Sequence, residues 1–275
     1  MILLPGGVLS ADLAYGALID ALGDDVEAVA KDLELYAGDE PPGDYSLDTE
    51  VAGVVREADA RGWERFHRVG YSGGGAAALA TAALHPGRLL SLALLEPAWS
   101  GNWDLSEAER AIWRESEKLE ALPPDEFMAA FVRLELRPGV APPAPPPGPP
   151  PPWMAKRPAG IRALMRTFQT YDLGRESLRR FDRPVYYALG GLSNPDQYGE
   201  IAERLSRVLD DFTLEVFERA TLLRSTASNR AGATCPFAAH ALGACGSRAA
   251  VAHRHDLLGQ RRTSSEGRLR THLRS

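Results

Sequence analysis

Residues 66–78 read FHRVGYSGGGAAA, in which a short apolar run leads through a serine set between glycines into a stretch of small residues. The run FHRVG is typical of a buried strand, and GGGAAALATAALH (73–85) is typical of a tightly packed helix. Ser72 then occupies the turn between them. Glycines on both sides suit a sharp turn in an unfavourable backbone conformation, because bulky neighbours would clash there. We therefore expect the Ser72 hydroxyl to project above the edge of a sheet.

Strand-like and helix-like segments alternate on both sides of this turn. Further strands are predicted in ILLPGG (2–7), VEAVAKDLELYA (26–37, where a helix is also possible), LLSLALLEP (89–97), RPVYYALGG (183–191) and FTLEVFE (212–218). Helices are predicted in ADLAYGALIDALG (11–23), YSLDTEVAGVVREADARGW (45–63) and NPDQYGEIAERLSRVL (194–209). Asp48 is a candidate cap for the second of these helices. The alternation predicts an α/β fold with a mostly parallel sheet covered by helices on both faces.

The pattern changes between residues 99 and 181, where helices with exposed charge carry several tryptophans. This segment is predicted to be a helical insertion into a core formed by residues 1–98 and 182–218. Within it, residues 138–152 are rich in proline, which fixes φ and lacks the backbone donor of a helix or central strand. We expect a stiff, exposed loop of polyproline II character.

The C-terminal segment, residues 219–275, differs in composition from the rest of the chain. Residues 1–218 contain 21 Lys and Arg against 35 Asp and Glu, whereas residues 219–275 contain 10 against 2. The segment has no sustained period of hydrophobic residues, and its composition is typical of GC-rich DNA translated out of phase. Two hypotheses stay open: a shift of reading frame close to Glu218, and a genuine disordered tail.

Composition also bears on the class and location of the protein. The hydrophobic content of 44% allows a full core over 275 residues, and no apolar run reaches the roughly 20 residues of a membrane span. The opening residues lack the features of a secretory signal, so we expect a cytoplasmic location. The two cysteines, Cys235 and Cys245, do not suggest a metal site, and the scattered arginines of the tail do not predict nucleic-acid binding.

The residues Gly70-Tyr71-Ser72-Gly73-Gly74 form a G-x-S-x-G motif between a predicted strand and a predicted helix. Residues 1–218 resemble the α/β-hydrolase superfamily, from its third strand to its eighth. The resemblance implies a serine hydrolase that forms an acyl-enzyme at Ser72 and needs no metal or organic cofactor. It also implies that residues 99–181 form a cap over a small-molecule substrate.

The resemblance further implies an oxyanion hole. One donor is the N–H of Gly73, at the start of the helix after the serine. The second comes from the loop after the first strand, where Pro5-Gly6-Gly7-Val8 offers the Gly7 N–H first and the Val8 N–H second.

The family also requires an acid and a histidine base. The acid follows the sixth or the seventh strand of the family, which gives Glu96 as the first candidate and Asp196 as the second. The histidine follows the eighth strand, yet residues 219–225 contain none. His67 and His85 are interpreted as structural, and the remaining four histidines lie further along the tail. The activity of this chain is therefore uncertain, because serine without a base is a poor nucleophile at neutral pH.

Two other functions compete with hydrolysis. Residues 73–78 also fit G-x-G-x-x-A after a strand, with Glu96 ending the next strand, as in dinucleotide-binding oxidoreductases. That interpretation leaves Gly70-Tyr71-Ser72 unexplained. The other alternative is a protein of the same fold that binds a small ligand without catalysing a reaction.

Overall fold

The computed structural model describes residues 1–142, 144 and 148–221. Six strands form one sheet in the order β2-β1-β3-β4-β5-β6, and every neighbouring pair is parallel. The strands are β1 (Ile2–Leu4), β2 (Val29–Ala30), β3 (Phe66–Tyr71), β4 (Leu89–Leu95), β5 (Val185–Gly190) and β6 (Phe212–Phe217). The predicted strand–helix alternation and the mostly parallel sheet are confirmed. For residues 26–37 the structure has a two-residue strand followed by a 3₁₀ turn, not a helix.

Eight α-helices accompany the sheet in the described part of the chain. They are α1 (Ala11–Leu22), α2 (Leu47–Ala60), α3 (Gly73–Leu84), α4 (Glu107–Leu119), α5 (Pro124–Leu134), α6 (Arg157–Thr170), α7 (Arg175–Arg179) and α8 (Glu200–Ser206), the last preceded by a π-helical turn (Pro195–Gly199). Residues of α2, α3, α7 and α8 share one core with the strands, whereas α1 packs on the opposite face of the sheet. Parallel strands buried on both faces explain the continuous apolar runs in the sequence.

The start of α2 differs from the prediction. Ser46 caps this helix: its hydroxyl accepts from the Asp48 N–H at 3.2 Å, and Thr49 completes a capping box. Asp48 lies in the first turn, so the prediction of Asp48 as the cap was wrong. Ser46 has an extended backbone, φ −144° and ψ 173°, which places its side chain over the free amides of the first turn.

The helical insertion, residues 99–181, follows β4 and contains α4 to α7. It is joined to the core by a buried ion pair between Glu109 of α4 and Arg204 of α8. The Arg204 guanidinium also lies 4.7 Å from the centre of the Trp99 ring. On its other side, Arg157 of α6 stacks on Tyr36 at 3.9 Å. Polar and cation–π contacts therefore fix this segment to the sheet domain, together with apolar side chains of the segment that are buried in the main core.

The end of α5 is attached to the loop that follows β5. The Asn194 N–H donates to the Glu135 carbonyl at 3.0 Å, and the Arg137 N–H donates to the Leu192 carbonyl at 3.0 Å. The Pro-rich segment 138–152 comes next; residues 143 and 145–147 lie outside the described residues. Its described positions 141, 142, 144 and 148–152 are exposed, and none belongs to an α-helix or strand.

The chain continues to pack on the core just after β6. The Leu192 N–H donates to the Ala220 carbonyl at 3.0 Å, and Thr221 is buried. The predictions for residues 222–275, including a disordered tail or an altered reading frame, fall outside the described residues. Sequencing the DNA around codon 218 would decide between those two hypotheses.

Candidate active site

Ser72 lies on the turn between β3 and α3 in a strained backbone conformation, with φ 48° and ψ −116°. A side chain at positive φ is unfavourable, so surrounding contacts must hold it there. The Ser72 carbonyl accepts from the N–H groups of Gly75, Ala76 and Ala98 at 2.9 to 3.0 Å. Its side chain is half-buried and reaches a cavity under the helical insertion. This is the backbone geometry expected of the nucleophile elbow that the G-x-S-x-G motif predicts.

The glycines around Ser72 are required by close packing of the backbone. A Cβ atom at Gly74 would lie 2.4 Å from the Leu4 carbonyl oxygen, and one at Gly70 would lie 2.2 Å from the Gly74 carbonyl oxygen. These distances are shorter than any real contact of a methyl group. The glycine run is thus explained by the approach of α3 to the sheet, and it needs no bound phosphate to account for it.

The loop after β1 lies beside Ser72. The Gly74 N–H donates to the Pro5 carbonyl at 3.1 Å, and a Cβ at Gly6 would lie 3.1 Å from the Ser72 Cβ. The Tyr36 hydroxyl fixes the position of Gly7 by donating a hydrogen bond to its carbonyl at 2.7 Å. Among the described residues, nothing accepts a hydrogen bond from the N–H of Gly7 or Val8.

Gly7 and Gly73 face the same side chain of α6. A Cβ at Gly7 would lie 2.9 Å from Leu164 Cδ1, and one at Gly73 would lie 3.2 Å from the same atom. The loop after β1 and the first turn of α3 therefore come together under Leu164. Gly73 is the first residue of α3, where the helix dipole favours negative charge.

Both candidate acids lie at the carboxyl edge of the sheet, on neighbouring strands. Glu96 directly follows β4 at φ 45°, is 2% exposed, and accepts from the Gly190 N–H at 2.8 Å. Asp196 is half-buried in the turn after β5, and its N–H donates to Asn194 Oδ1 at 3.1 Å. Glu96 is therefore a strained, buried carboxylate, and its bond to the Gly190 N–H is a structural role; its role as the acid stays a prediction.

The two histidines in the described residues lie away from Ser72. His67 is five residues upstream in β3, about 16 Å away at ~3.3 Å per residue, and its Nδ1 lies 2.8 Å from Ser91 Oγ. Burial lowers the pKa of His67. His85 ends α3, about 20 Å from the elbow at ~1.5 Å per helical residue. The other four histidines lie in residues 222–275, outside the described part.

A cavity of about 70 Å³ lies between Ser72 and the helical insertion. Most of its wall is apolar and aromatic. The lining residues are Ser72, Ala98, Trp99, Glu109, Ile112, Trp113, Phe131, Glu135, Met165, Phe168, Gln169, Gln197 and Ile201. No motif or spacing pointed to Glu135 and Gln197, since they are distant in the chain and meet only when α5 docks on the loop after β5.

Glu135 is a buried carboxyl in this wall, with 9% of its surface exposed. The Tyr198 hydroxyl donates to its Oε2. Burial, and secondly the charge of Glu96, raises the pKa of Glu135 to about 8, although the side chain of Gln197 lowers it in part. The carboxyl is therefore largely protonated at neutral pH.

A family model for the α/β hydrolase fold matches residues 1–218. The chain belongs to the α/β hydrolase fold family. This agrees with the resemblance carried by the G-x-S-x-G motif and with the parallel sheet. Within the described residues, no helix is both long and apolar enough to cross a membrane, and no three or more His, Cys, Asp and Glu side chains group in a way that could hold a metal ion.

Known proteins of this α/β hydrolase family resemble the chain at different levels. The putative carbamate hydrolase RutD of Caulobacter segnis is 43% identical over 60 residues, which is 22% of each chain, so the match spans about a fifth of that relative. A hydrolase from Pseudomonas aeruginosa PA01 has a TM-score of 0.63 at 20% identity and covers 90% of both chains. The enol-lactonase from Burkholderia xenovorans LB400 has a TM-score of 0.61 at 14% identity, covering 88% of this chain and 90% of its own. The two solved structures support the fold alone.

Proposed function

We propose that this α/β hydrolase is a serine hydrolase that cleaves an ester or similar acyl bond through an acyl-enzyme. The observation that carries the proposal is the strained Ser72 at the end of β3, with its side chain at the cavity wall. Strain of this kind persists only where surrounding structure enforces it, and it is frequent at reactive residues. The names of the relatives, a carbamate hydrolase and a lactonase, also denote cleavage at an acyl carbon.

In the proposed reaction, Ser72 Oγ attacks the acyl carbon and its proton passes to a histidine. The N–H groups of Gly73 and Gly7, with Val8 as the alternative, stabilise the oxyanion. The leaving group takes the proton, and water then hydrolyses the acyl-enzyme with the histidine acting in the reverse direction. Glu96, or secondly Asp196, orients this histidine. We infer that residues 99–181 act as the cap that covers the acyl group.

The size of the cavity limits what this pocket holds when closed. Its 70 Å³ is less than half of the ~150 Å³ that holds a benzene molecule in an apolar protein cavity. A small acyl group fits without movement, whereas a larger one requires α4 and α5 to move away from the sheet. Such a movement exposes few side chains, because the buried residues of α4 and α5 are Glu109 and Phe127, but it must break the pair of Glu109 with Arg204.

The second candidate function is ligand binding without catalysis. It is favoured by a specific observation: neither histidine of the described residues lies within reach of Ser72. In this case the same cavity binds a small molecule, and Ser72 remains unreactive because no base removes its proton.

Reaction with a fluorophosphonate probe separates the two functions. A serine hydrolase is labelled at Ser72, and Ser72→Ala abolishes the labelling while Ser206→Ala, a substitution on the far end of α8, preserves it. Mass spectrometry of the labelled peptide identifies the modified residue. A folded wild-type chain that stays unlabelled contradicts the catalytic proposal and supports the binding function.

A further inference from the structure

The cavity next to Ser72 combines a carboxyl group with several aromatic rings. Glu135 contributes this carboxyl, Glu109 contributes a second one that is paired with Arg204, and the rings come from Trp99, Trp113, Phe131 and Phe168. Carboxylates attract cations by charge, and the faces of aromatic rings attract them through the quadrupole of the π system. The wall is therefore complementary to a positively charged group.

The described side chains next to Glu135 are acidic or uncharged. Glu96 approaches from the end of β4, while Tyr198 and Gln197 hydrogen-bond to Glu135 from the π-helical turn. Burial, and then the charges of Glu96 and Glu135, raise the pKa of Tyr71 at the end of β3. In the part of the chain that the structure describes, no Lys or Arg forms an ion pair with Glu135. Arg204, the buried cation on this side of the fold, is paired with Glu109 instead.

The side chain of Gln197 carries a hydrogen-bond acceptor that no described donor reaches. Its Oε1 is buried and has no hydrogen-bond partner among the described residues, and the side chain lines the cavity. A buried acceptor left unpaired lowers stability, so a ligand N–H at this position would be favourable. Together, Gln197 Oε1 and Glu135 offer two acceptors to the same ligand.

We propose that Glu135 and Gln197 select a substrate that carries a protonated amine. The proposal rests on the proposed function, because it assigns this cavity as the substrate pocket. The ammonium group donates hydrogen bonds to Gln197 Oε1 and to the Glu135 carboxylate, and the aromatic rings cover its remaining surface.

Binding of an ammonium group has a second consequence, the release of a proton. Burial raises the pKa of Glu135 to about 8, so the group is mostly protonated at pH 7 in the empty cavity. A bound cation lowers this pKa, because it favours the charged carboxylate. In a fraction of the molecules, Glu135 therefore releases its proton to the buffer when the ligand binds.

Isothermal titration calorimetry of the full-length chain with n-butylammonium and n-butanol tests the proposal. These ligands have nearly the same size, and both carry a donor, so their difference reports the charge. We expect n-butylammonium to bind at least about tenfold more tightly at pH 7. Titrations in phosphate and in HEPES, which differ in their heat of ionisation, should show proton release for n-butylammonium alone.

Two variants make the result specific. Glu135→Gln keeps the shape of the side chain and is expected to bring the affinity ratio close to one and to abolish proton release. Glu117→Gln, on the exposed face of α4, is expected to keep both. If Glu135→Gln does not fold, Gln197→Leu serves instead and is expected to weaken binding of n-butylammonium but not of n-butanol.

Equal affinity for the two ligands in the wild-type chain overturns the proposal. So does a ratio that persists in Glu135→Gln, or the absence of binding heat for both ligands. The covalent labelling of Ser72 is measured separately, so the two proposals fail independently. An intact labelling reaction with no cation preference leaves a serine hydrolase of different selectivity, whereas a cation preference without labelling leaves a binding protein.

Discussion

Helices α3 and α4 show how differently the two parts of this protein are held. Helix α3, in the core, buries eleven of its twelve residues, all of them Gly, Ala, Leu or Thr. Helix α4, in the helical insertion, buries only Glu109, which pairs with Arg204. Close apolar packing holds the first turn of α3 next to Ser72, whereas α4 is joined to the core by a buried ion pair. The two helices are thus held by different kinds of contact.

The largest expected effect is a loss of stability when the buried ion pair between the insertion and the core is broken. Glu109→Leu removes one partner of a buried ion pair and leaves Arg204 charged and unpaired, which costs about 3–5 kcal/mol. Urea denaturation followed by tryptophan fluorescence measures this loss. Glu107→Gln, which breaks an exposed pair with Arg114 on the same helix, is expected to leave the midpoint unchanged. Equal effects of the two substitutions would contradict the distinction.

The second effect is a loss of stability when a methyl group is added where α3 packs closely on the sheet. Gly74→Ala places a methyl group 2.4 Å from the Leu4 carbonyl oxygen, so the free energy of unfolding should fall by about 3 kcal/mol. Gly16→Ala, within α1, meets nothing within 4 Å and should stabilise the protein by about 0.5–1 kcal/mol. Guanidinium titrations of both variants provide the measurement. A neutral result for Gly74→Ala would show that α3 can move away from β1.

The third effect is a pH dependence located in the insertion. The pKa of Glu135 is raised from 4.5 to about 8, so between these values the folded state binds more protons than the unfolded state. Stability from this group is present below pH 4.5 and is lost as the pH rises towards 8. Relative to wild type, Glu135→Gln should gain about 2–3 kcal/mol between pH 5 and pH 7. Unfolding curves at four pH values test this, and parallel curves for the two proteins would refute it.

The smallest expected effect is the loss of stability when a single tyrosine hydroxyl is removed close to the boundary of core and insertion. Tyr36→Phe removes the hydroxyl that donates to the Gly7 carbonyl, and the loss should be about 1 kcal/mol. Tyr171→Phe removes a more exposed hydrogen bond, to Asp48, and should cost less. Thermal melts followed by circular dichroism distinguish them. The reverse order would indicate that the loop after β1 does not depend on Tyr36.

Much of the fold could be predicted because local signals agreed with one another. The turn at Ser72 needs glycines, the strands are apolar runs, and both features can be read from adjacent residues. The position of Glu96 at the end of β4 followed from the same alternation. The Ser46 cap was missed because Asp48 is an equally good capping residue by type, and only the backbone of position 46 distinguishes them.

The cavity wall could not be predicted in the same way. Glu135 and Gln197 are 62 residues apart and meet only because the backbone of 135–137 bonds to the loop at 192–194. No period or motif in the sequence encodes that docking. The partner histidine stays a prediction as well, because the candidate positions beyond residue 221 lie outside the described residues.

The parallel pairing of β4 with β5 constrains how this architecture can be altered by recombination. The chain leaves β4 at one edge of the sheet and must enter β5 at the opposite edge, so some connecting segment has to travel back along the strands. Leu178 of α7 is buried in the main core on that return path. Complete excision of everything between β4 and β5 would therefore leave two strands that cannot be joined.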